Sequence, residues 1–178
     1  MIVANSWQDR LKLPRIDVED LYLAKCMFLD IRSLMERNPL LQRRDYFHTF
    51  HRMTYLAHIS TLLRRNLTRN PKGSSFLSFL DSVAAETKGS KDSVIADIAE
   101  LEGRAKLFKG FFDKQVAHLD KQRPTSLPTY NDLHETIDLL TDLCHKYSEQ
   151  LVGDAWSPGR KEIGDEWLTI FDSPWYDP

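Results

Sequence analysis

The chain has 178 residues, of which 42% are hydrophobic and 28% are charged, and its formal net charge is −2. This length allows one domain with a substantial core. The nearly balanced charge excludes a global attraction to nucleic acid or anionic membrane, so any such binding has to come from a local patch. No apolar run approaches the roughly 18 residues of a membrane span, and the first residues lack the pattern of a signal peptide. The two cysteines, Cys26 and Cys144, have no metal-like spacing and indicate free thiols in a reducing cytoplasm.

The first half of the chain has the apolar periodicity of helices. Residues 1–13 predict an arm or a short helix, and Asp17 resembles the N-cap of a helix that runs from residue 18 to residue 37. A second helix is predicted over residues 41–67. It carries two adjoining apolar stripes, which is typical of a central helix with neighbours on both sides.

The second half continues this pattern. A short helix is predicted at residues 75–86, and a third long helix begins near Asp92, with an apolar face that extends through Phe111, Phe112, Val116 and Leu119. Thr129 and Asp132 form a capping-box pattern before a fourth long helix, over residues 133–151, which Gly153 ends. The sequence therefore predicts an all-α fold: an antiparallel up-and-down bundle of four main helices plus short extra helices.

The predicted domain organisation is a helical bundle over residues 1–153 and an aromatic tail over residues 154–178. The tail contains three tryptophans, which favours docking either on the bundle or on a partner.

Histidines recur at helical spacing in the second helix, at His48, His51 and His58, and Tyr55 follows the same stripe. No carboxylate occurs between residues 46 and 70, so a polar or partner-facing stripe fits this pattern better than a zinc site. His134 has a similar setting, and we interpret it as part of an exposed helix surface. No metal and no cofactor are expected.

Basic residues cluster near the end of the second helix, at Arg64, Arg65, Arg69 and Lys72. Such a cluster can bind RNA phosphates with an affinity that falls steeply in salt. A solvated helix surface is the alternative, and the sequence leaves both open.

The segment from Phe111 to Asp120 contains the strongest candidate for a reactive group. Lys114 and His118 are four residues apart and share one face of a helix. Histidine titrates near neutrality, so it is suited to proton transfer. Asp113 and Asp120 flank this pair. The local chemistry is compatible both with a catalytic site and with the polar end of a helix.

The run Val116-Ala117-His118-Leu119-Asp120, preceded by Asp113 and Lys114, resembles the late-helix motif of the HEPN superfamily, and within it the abortive-infection (Abi) group. The resemblance covers residues 40–152 and includes a Pro-Thr-Tyr-Asn-Asp segment that begins the next helix. It implies a helical bundle that commonly dimerises, with paired motif helices at the dimer interface.

Active members of this superfamily are metal-independent endoribonucleases, and the group is associated with phage defence and toxin–antitoxin pairs. The resemblance implies that His118 handles a proton at the ribose 2′-hydroxyl or the leaving group. The family motif places an arginine four to six residues before the histidine, whereas this chain has Phe111, Phe112 and Asp113 there. Lys114 is the nearest cation. The expected partners are a second copy, RNA, and an antitoxin or other protein, and a non-catalytic bundle that binds RNA or protein is the alternative.

Overall fold

The computed structural model describes residues 7–38, 42, 45–70, 75–87, 91–112 and 128–159. Every regular element in these ranges is helical, so the predicted all-α class is confirmed. The elements are α1 (Trp7–Arg37), α2 (Asp45–Asn66), α3 (Phe76–Glu86), α4 (Lys91–Phe111) and α5 (Tyr130–Tyr147), and a π-helical turn (Ser148–Val152) follows α5.

Helix α1 lies at the centre of the bundle and packs against α2, α3 and α5. Its contacts with α2 show an antiparallel arrangement, because Asp17 binds Arg65 near the end of α2 while Phe28 stacks on Tyr55, ten residues earlier. Salt bridges show that α1 and α5 are also antiparallel, and that α4 and α5 are antiparallel. These pairs are Lys25–Asp138 (2.5 Å), Arg15–Asp154 (2.9 Å), Arg104–Glu135 (3.1 Å) and Lys146–Asp97 (2.6 Å).

All five helices contribute to one core. The short helix α3 follows the predicted bounds and buries the apolar residues Phe76, Phe79, Leu80 and Val83. Its Ser75 N-cap accepts a hydrogen bond from the backbone N–H of Ser78. The largest fully buried side chains are those of Leu11, Leu21, Ile59, Leu63, Phe76, Phe79, Leu80, Leu101, Phe108, Leu133, Ile137 and Tyr147.

The predicted start of the first long helix is wrong. Helix α1 begins at Trp7, includes Pro14, and contains Asp17 in its interior, where only 2% of the residue is exposed. The Arg65 guanidinium and the Asn66 side-chain amide both donate hydrogen bonds to the Asp17 carboxylate. An acid before an apolar run looks like an N-cap in sequence, but here it is a buried tertiary contact between α1 and α2.

The prediction that the second helix is central is wrong within this chain. Its inner stripe, which includes Ile59 and Leu63, is fully buried. The opposite face points outward, with Tyr46, Phe50 and Met53 exposed to 85%, 61% and 62%. Helix α2 therefore has one apolar face in the core and a second apolar face at the surface.

The capping box and the glycine stop that were predicted for the last helix are confirmed, although the helix begins at Tyr130 and not at residue 133. Thr129 and Asp132 form the capping box, with the Thr129 N–H donating to the Asp132 carboxylate over 2.7 Å. The regular α-helix ends at Tyr147, earlier than predicted, and changes to the π-helical turn. Gly153 then adopts φ 73°, a left-handed conformation that favours glycine, and it ends the element.

The chain after Gly153 packs back on the bundle as far as it is described. Trp156 is 8% exposed, its backbone carbonyl accepts a hydrogen bond from the His145 ring, and the Arg15 guanidinium lies 5.5 Å from its ring centroid. Residues 160–178 lie outside the described part of the chain. Both cysteines are free thiols, and burial raises the pKa of Cys144 to about 12.

Candidate functional site

An open cleft of about 590 Å³ lies between α1, α2 and the first residue of α5. Aromatic, imidazole and guanidinium groups line it together with a few aliphatic and polar side chains. The lining residues are Phe28, Arg32, Met35, Glu36, Gln42, His48, His51, Arg52 and Tyr130.

Phe28 of α1 forms the base of this cleft, and three other rings lie nearly parallel to it. The ring centroid of His51 is 5.1 Å away at an interplanar angle of 7°, and that of Tyr130 is 5.2 Å away at 16°. Tyr55 stacks closest, at 4.0 Å and 15°. His51 and Tyr55 are four residues apart on α2, so both face α1. The cleft therefore presents flat ring surfaces in similar orientations.

Two arginines and one carboxylate lie at the edge of the cleft. Arg52 donates from Nε to the Tyr130 hydroxyl over 3.2 Å, and its guanidinium lies 5.9 Å from the Tyr130 ring centroid. Arg32 donates to the Glu36 carboxylate over 3.0 Å, at a site where both side chains are exposed. The side chains that line the cleft therefore carry a net positive charge even when their histidines are neutral.

His51 lines the cleft, and its ring stacks on Phe28 at 5.1 Å and on Phe47 at 6.3 Å. Burial lowers its pKa, and the neighbouring His48 lowers it further. The His51 imidazole is therefore mainly neutral at pH 7, so it can stack as an uncharged ring or accept a proton.

Tyr55, the ring that stacks closest on Phe28, forms a hydrogen-bonded pair with His134, at 2.9 Å between Oη and Nε2. Burial raises the pKa of Tyr55, so its hydroxyl stays protonated and can donate. Burial, followed by the charge of Lys25, lowers the pKa of His134, so its ring stays neutral and can accept. The prediction that His134 belongs to an exposed helix surface is therefore wrong.

The lowered pKa values of His51 and His134 predict that the free energy of unfolding decreases in mild acid. In the unfolded chain they bind protons near pH 6.5, whereas in the folded chain the pKa of both His51 and His134 is lower. The unfolded state therefore binds more protons below about pH 6.5, and the free energy of unfolding decreases as the pH falls through the folded pKa values. Thermal unfolding between pH 7.5 and 5.5 should show a falling midpoint.

The variant His134→Gln should flatten this dependence, because glutamine does not titrate. His58→Gln is the control, since His58 is exposed on the same helix as His51. An unchanged pH dependence in His134→Gln would show that the buried pair does not cause the loss of stability.

The sequence-predicted reactive residues His118, Lys114, Asp113 and Asp120 lie outside the described residues. The two phenylalanines before them are described. Phe111 and Phe112 are each 5% exposed and belong to the core. An arginine at either of these family positions would therefore be buried among apolar side chains, at a high cost in desolvation.

Two of the predicted RNA-binding arginines form ion pairs with carboxylates of the same chain. Arg65 binds the buried Asp17. Arg69 donates to Asp81 over 2.8 Å and to Glu102 over 2.6 Å, and these hydrogen bonds raise its pKa. Arg64 is exposed on α2, and Lys72 lies outside the described residues. A phosphate bound by Arg65 or Arg69 would have to compete with these carboxylates.

Within the described ranges, no group of three or more His, Cys, Asp or Glu side chains is placed to hold a metal ion. In the same ranges, no helix combines the length and apolarity that crossing a membrane requires.

Comparisons with family models, with curated proteins and with solved structures gave no match to this chain. The HEPN resemblance therefore rests on the motif residues themselves. Inferences about function rest on those residues and on the geometry of the cleft.

Sequence reasoning did not single out four of the residues that define the cleft. These residues are Phe28, Arg32, Arg52 and Tyr130. The spacing of His48 and His51 was the available signal, since it marks the face of α2 that meets Phe28.

Proposed function

We propose that this protein is an HEPN-like helical bundle that binds single-stranded RNA in the cleft between α1 and α2. The observation that carries this proposal is the set of nearly parallel rings around Phe28, open to solvent beside two arginines. Proteins that bind single strands combine aromatic surfaces for base stacking with cations that track the phosphates. The cleft has both components within one cavity.

Stacking accounts for the base contact. Every nucleobase has a π-face, and base stacking on an aromatic side chain contributes about 1–3 kcal/mol. Tyr130 is suited to this role because it lines the cleft and is only partly buried. The Arg52 guanidinium next to its ring strengthens such a contact by cation–π attraction.

The phosphate contact is assigned first to Arg52, which lines the cleft and donates to the Tyr130 hydroxyl, and α2 carries no Asp or Glu between residues 46 and 66 that would repel an RNA backbone. Arg32 also lines the cleft, but a phosphate bound there would have to compete with Glu36. Each phosphate contact to a cation makes binding weaker as salt increases.

The test is the RNA affinity of two cleft variants, measured by fluorescence anisotropy with a labelled single-stranded RNA. Tyr130→Ala should raise the dissociation constant by roughly tenfold to a hundredfold because it removes one stacking surface. Arg52→Ala should weaken binding and reduce the slope of log affinity against log salt by about one contact.

Lys106→Ala is the matched control, since it removes one exposed positive charge from α4, which does not line the cleft. Its effect measures the loss of charge alone. Arg69→Ala tests the basic end of α2, and its effect should stay within about threefold because Asp81 and Glu102 already hold this guanidinium. Wild-type affinity in Tyr130→Ala, or an equal loss in Lys106→Ala and Arg52→Ala, would contradict binding in the cleft.

The HEPN-like motif supports a more specific proposal, that the bound RNA is cleaved without metal and that His118 transfers the proton. Lys114 would then provide the cation that the family takes from arginine, although as a point charge without the bidentate guanidinium fork. A ribonuclease of this kind would act in the cytoplasm in phage defence, with an antitoxin as its natural protein partner.

A further inference from the structure

The cleft contains a carboxylate that phosphate binding does not explain. Glu36 lines the cleft, and 65% of its side chain is exposed. A negative charge at this position repels phosphates and offsets part of the attraction that Arg52 exerts on them. Glu36 therefore adds to RNA affinity only if it accepts hydrogen bonds from the RNA. The N–H groups of the bases are the donors that distinguish one nucleotide from another.

We propose that Glu36 and Arg32 recognise a base of the bound RNA and select guanine. This selection rests on RNA binding in the cleft, the function proposed above. The Glu36 carboxylate accepts hydrogen bonds from N1–H and from the N2 amino group of guanine, and an Nη group of Arg32 donates to O6.

Guanine is the base whose Watson–Crick edge fits a carboxylate. This edge has one acceptor, O6, followed by two neighbouring donors, N1–H and the N2 amino group. An ionised glutamate is an acceptor with two oxygens, so it can accept from both donors at once. Adenine, cytosine and uracil each present one donor group on the same edge, so none of them gives the carboxylate this second hydrogen bond.

The ion pair lies next to the rings on which a base would stack. Phe28, Arg32 and Glu36 are spaced four residues apart and all line the cleft, so they form one stripe along α1. Arg32 follows Phe28 by one turn, about 6 Å along the helix. The Tyr130 ring centroid lies 5.2 Å from that of Phe28. A base that stacks on Tyr130 is therefore placed to extend its edge towards the pair.

Two hydrogen bonds orient Glu36. Arg32 donates from Nε to its carboxylate over 3.0 Å, and Gln42 donates from Nε2 to its backbone carbonyl over 2.6 Å. A guanidinium has five N–H donors, so a bond from Nε leaves the Nη groups to donate to O6. An exposed ion pair between residues i and i+4 contributes little to stability, so we expect Glu36 to affect base selection and not folding.

Fluorescence anisotropy with short single-stranded RNAs tests the selection. The RNAs differ at one central position, which is flanked by uridines. The guanine RNA should bind about tenfold to a hundredfold more tightly than the adenine, cytosine and uracil RNAs, the range of one bidentate base contact. Equal binding of all four would overturn the selection of guanine and leave RNA binding in the cleft supported. No binding of any RNA would overturn the proposed function itself.

Two modified bases test which edge of guanine is recognised. Inosine lacks the N2 amino group and should bind roughly tenfold more weakly than guanosine, because the charged carboxylate loses one donor. 7-Deazaguanosine keeps the whole Watson–Crick edge and should bind as guanosine does. A loss with 7-deazaguanosine but not with inosine would place the contact at N7 and overturn the role of Glu36.

Competition with guanosine 5′-monophosphate separates RNA from a free nucleotide. The nucleotide should compete at least about tenfold more weakly than the guanine RNA, because it lacks the neighbouring phosphates and stacked bases. Equal competition would assign the cleft to a free guanine nucleotide and overturn the recognition of guanine within RNA.

Glu36→Gln should change the affinities for two RNAs in opposite directions. The guanine RNA should bind at least about tenfold more weakly, because the variant replaces one acceptor by a donor. The uracil RNA should bind about twofold more tightly, because a negative charge no longer repels its phosphates. The melting midpoint should stay within about 2 °C of the wild type, which separates base recognition from a loss of folding.

Glu86→Gln is the matched control for Glu36→Gln. Glu86 also pairs with an arginine, Arg10, near the opposite end of α1, and 50% of its side chain is exposed. Its replacement should leave both affinities within about twofold. Tighter binding of both RNAs by Glu36→Gln would show that the carboxylate only repels phosphate, and would overturn the proposal.

Discussion

Replacing Asn66 with leucine is expected to lower the free energy of unfolding by about 3 kcal/mol, through the loss of buried hydrogen bonds. Asn66 is fully buried where three helices meet. Its amide donates to the Asp17 carboxylate over 2.9 Å and to the Leu62 carbonyl over 3.0 Å. Its carbonyl oxygen accepts from the Phe76 N–H over 3.3 Å.

The cost arises from the groups that leucine leaves behind. The Phe76 N–H belongs to the first turn of α3, where backbone donors have no partner within the helix. The Asp17 carboxylate would keep Arg65, but its buried oxygen would lose one donor. For a protein of this size, a loss of about 3 kcal/mol corresponds to a fall of roughly 6–12 °C in the melting midpoint.

Asn131→Leu is the matched control, since Asn131 is an exposed asparagine in the first turn of α5. Its effect should stay within about 0.5 kcal/mol. Urea unfolding of both variants, followed by circular dichroism, gives the two free energies. A loss in Asn66→Leu no larger than that in Asn131→Leu would show that the junction of α1, α2 and α3 does not depend on this amide.

The features that sequence predicted well are local ones. The capping box of Thr129 and Asp132 involves residues three apart, and the stop at Gly153 depends on the conformational freedom of one residue. The inward face of α3 follows from four apolar positions within eleven residues. In each case the physical cause and the sequence signal lie within one or two helical turns.

The features that sequence reasoning missed depend on contacts between distant residues. Asp17 has the chemistry of an N-cap, and only the packing of α1 on α2 places it opposite Arg65, 48 residues away. The cleft likewise requires Phe28, His51 and Tyr130 to meet from three helices. Helix α2 was predicted to carry two adjoining apolar stripes, but the periodicity of one helix does not show which apolar side chains the core leaves exposed.

The HEPN-like motif leads to the prediction with the largest effect on activity. If His118 transfers the proton in RNA cleavage, His118→Ala should reduce the single-turnover cleavage rate by about a hundredfold or more, the range of general acid–base catalysis. Cleavage should persist in EDTA, because the proposed mechanism uses no metal. RNA affinity should change little, since the proposed binding contacts belong to the cleft.

This division between affinity and rate separates the two proposals. Tyr130→Ala should weaken binding and recover much of the rate at saturating RNA, whereas His118→Ala should stay slow at any RNA concentration.

Lys114→Arg should preserve or raise the cleavage rate, and Lys114→Ala should lower it, if a cation at this position stabilises the phosphate. Phe112→Arg should not restore a family-like site, because Phe112 is buried in the core and the variant should lose stability instead.

The control for His118→Ala is His58→Ala, which removes an exposed histidine from α2. Equal cleavage by His118→Ala and His58→Ala would remove His118 from the mechanism, and binding without cleavage by the wild type would favour the non-catalytic RNA-binding bundle.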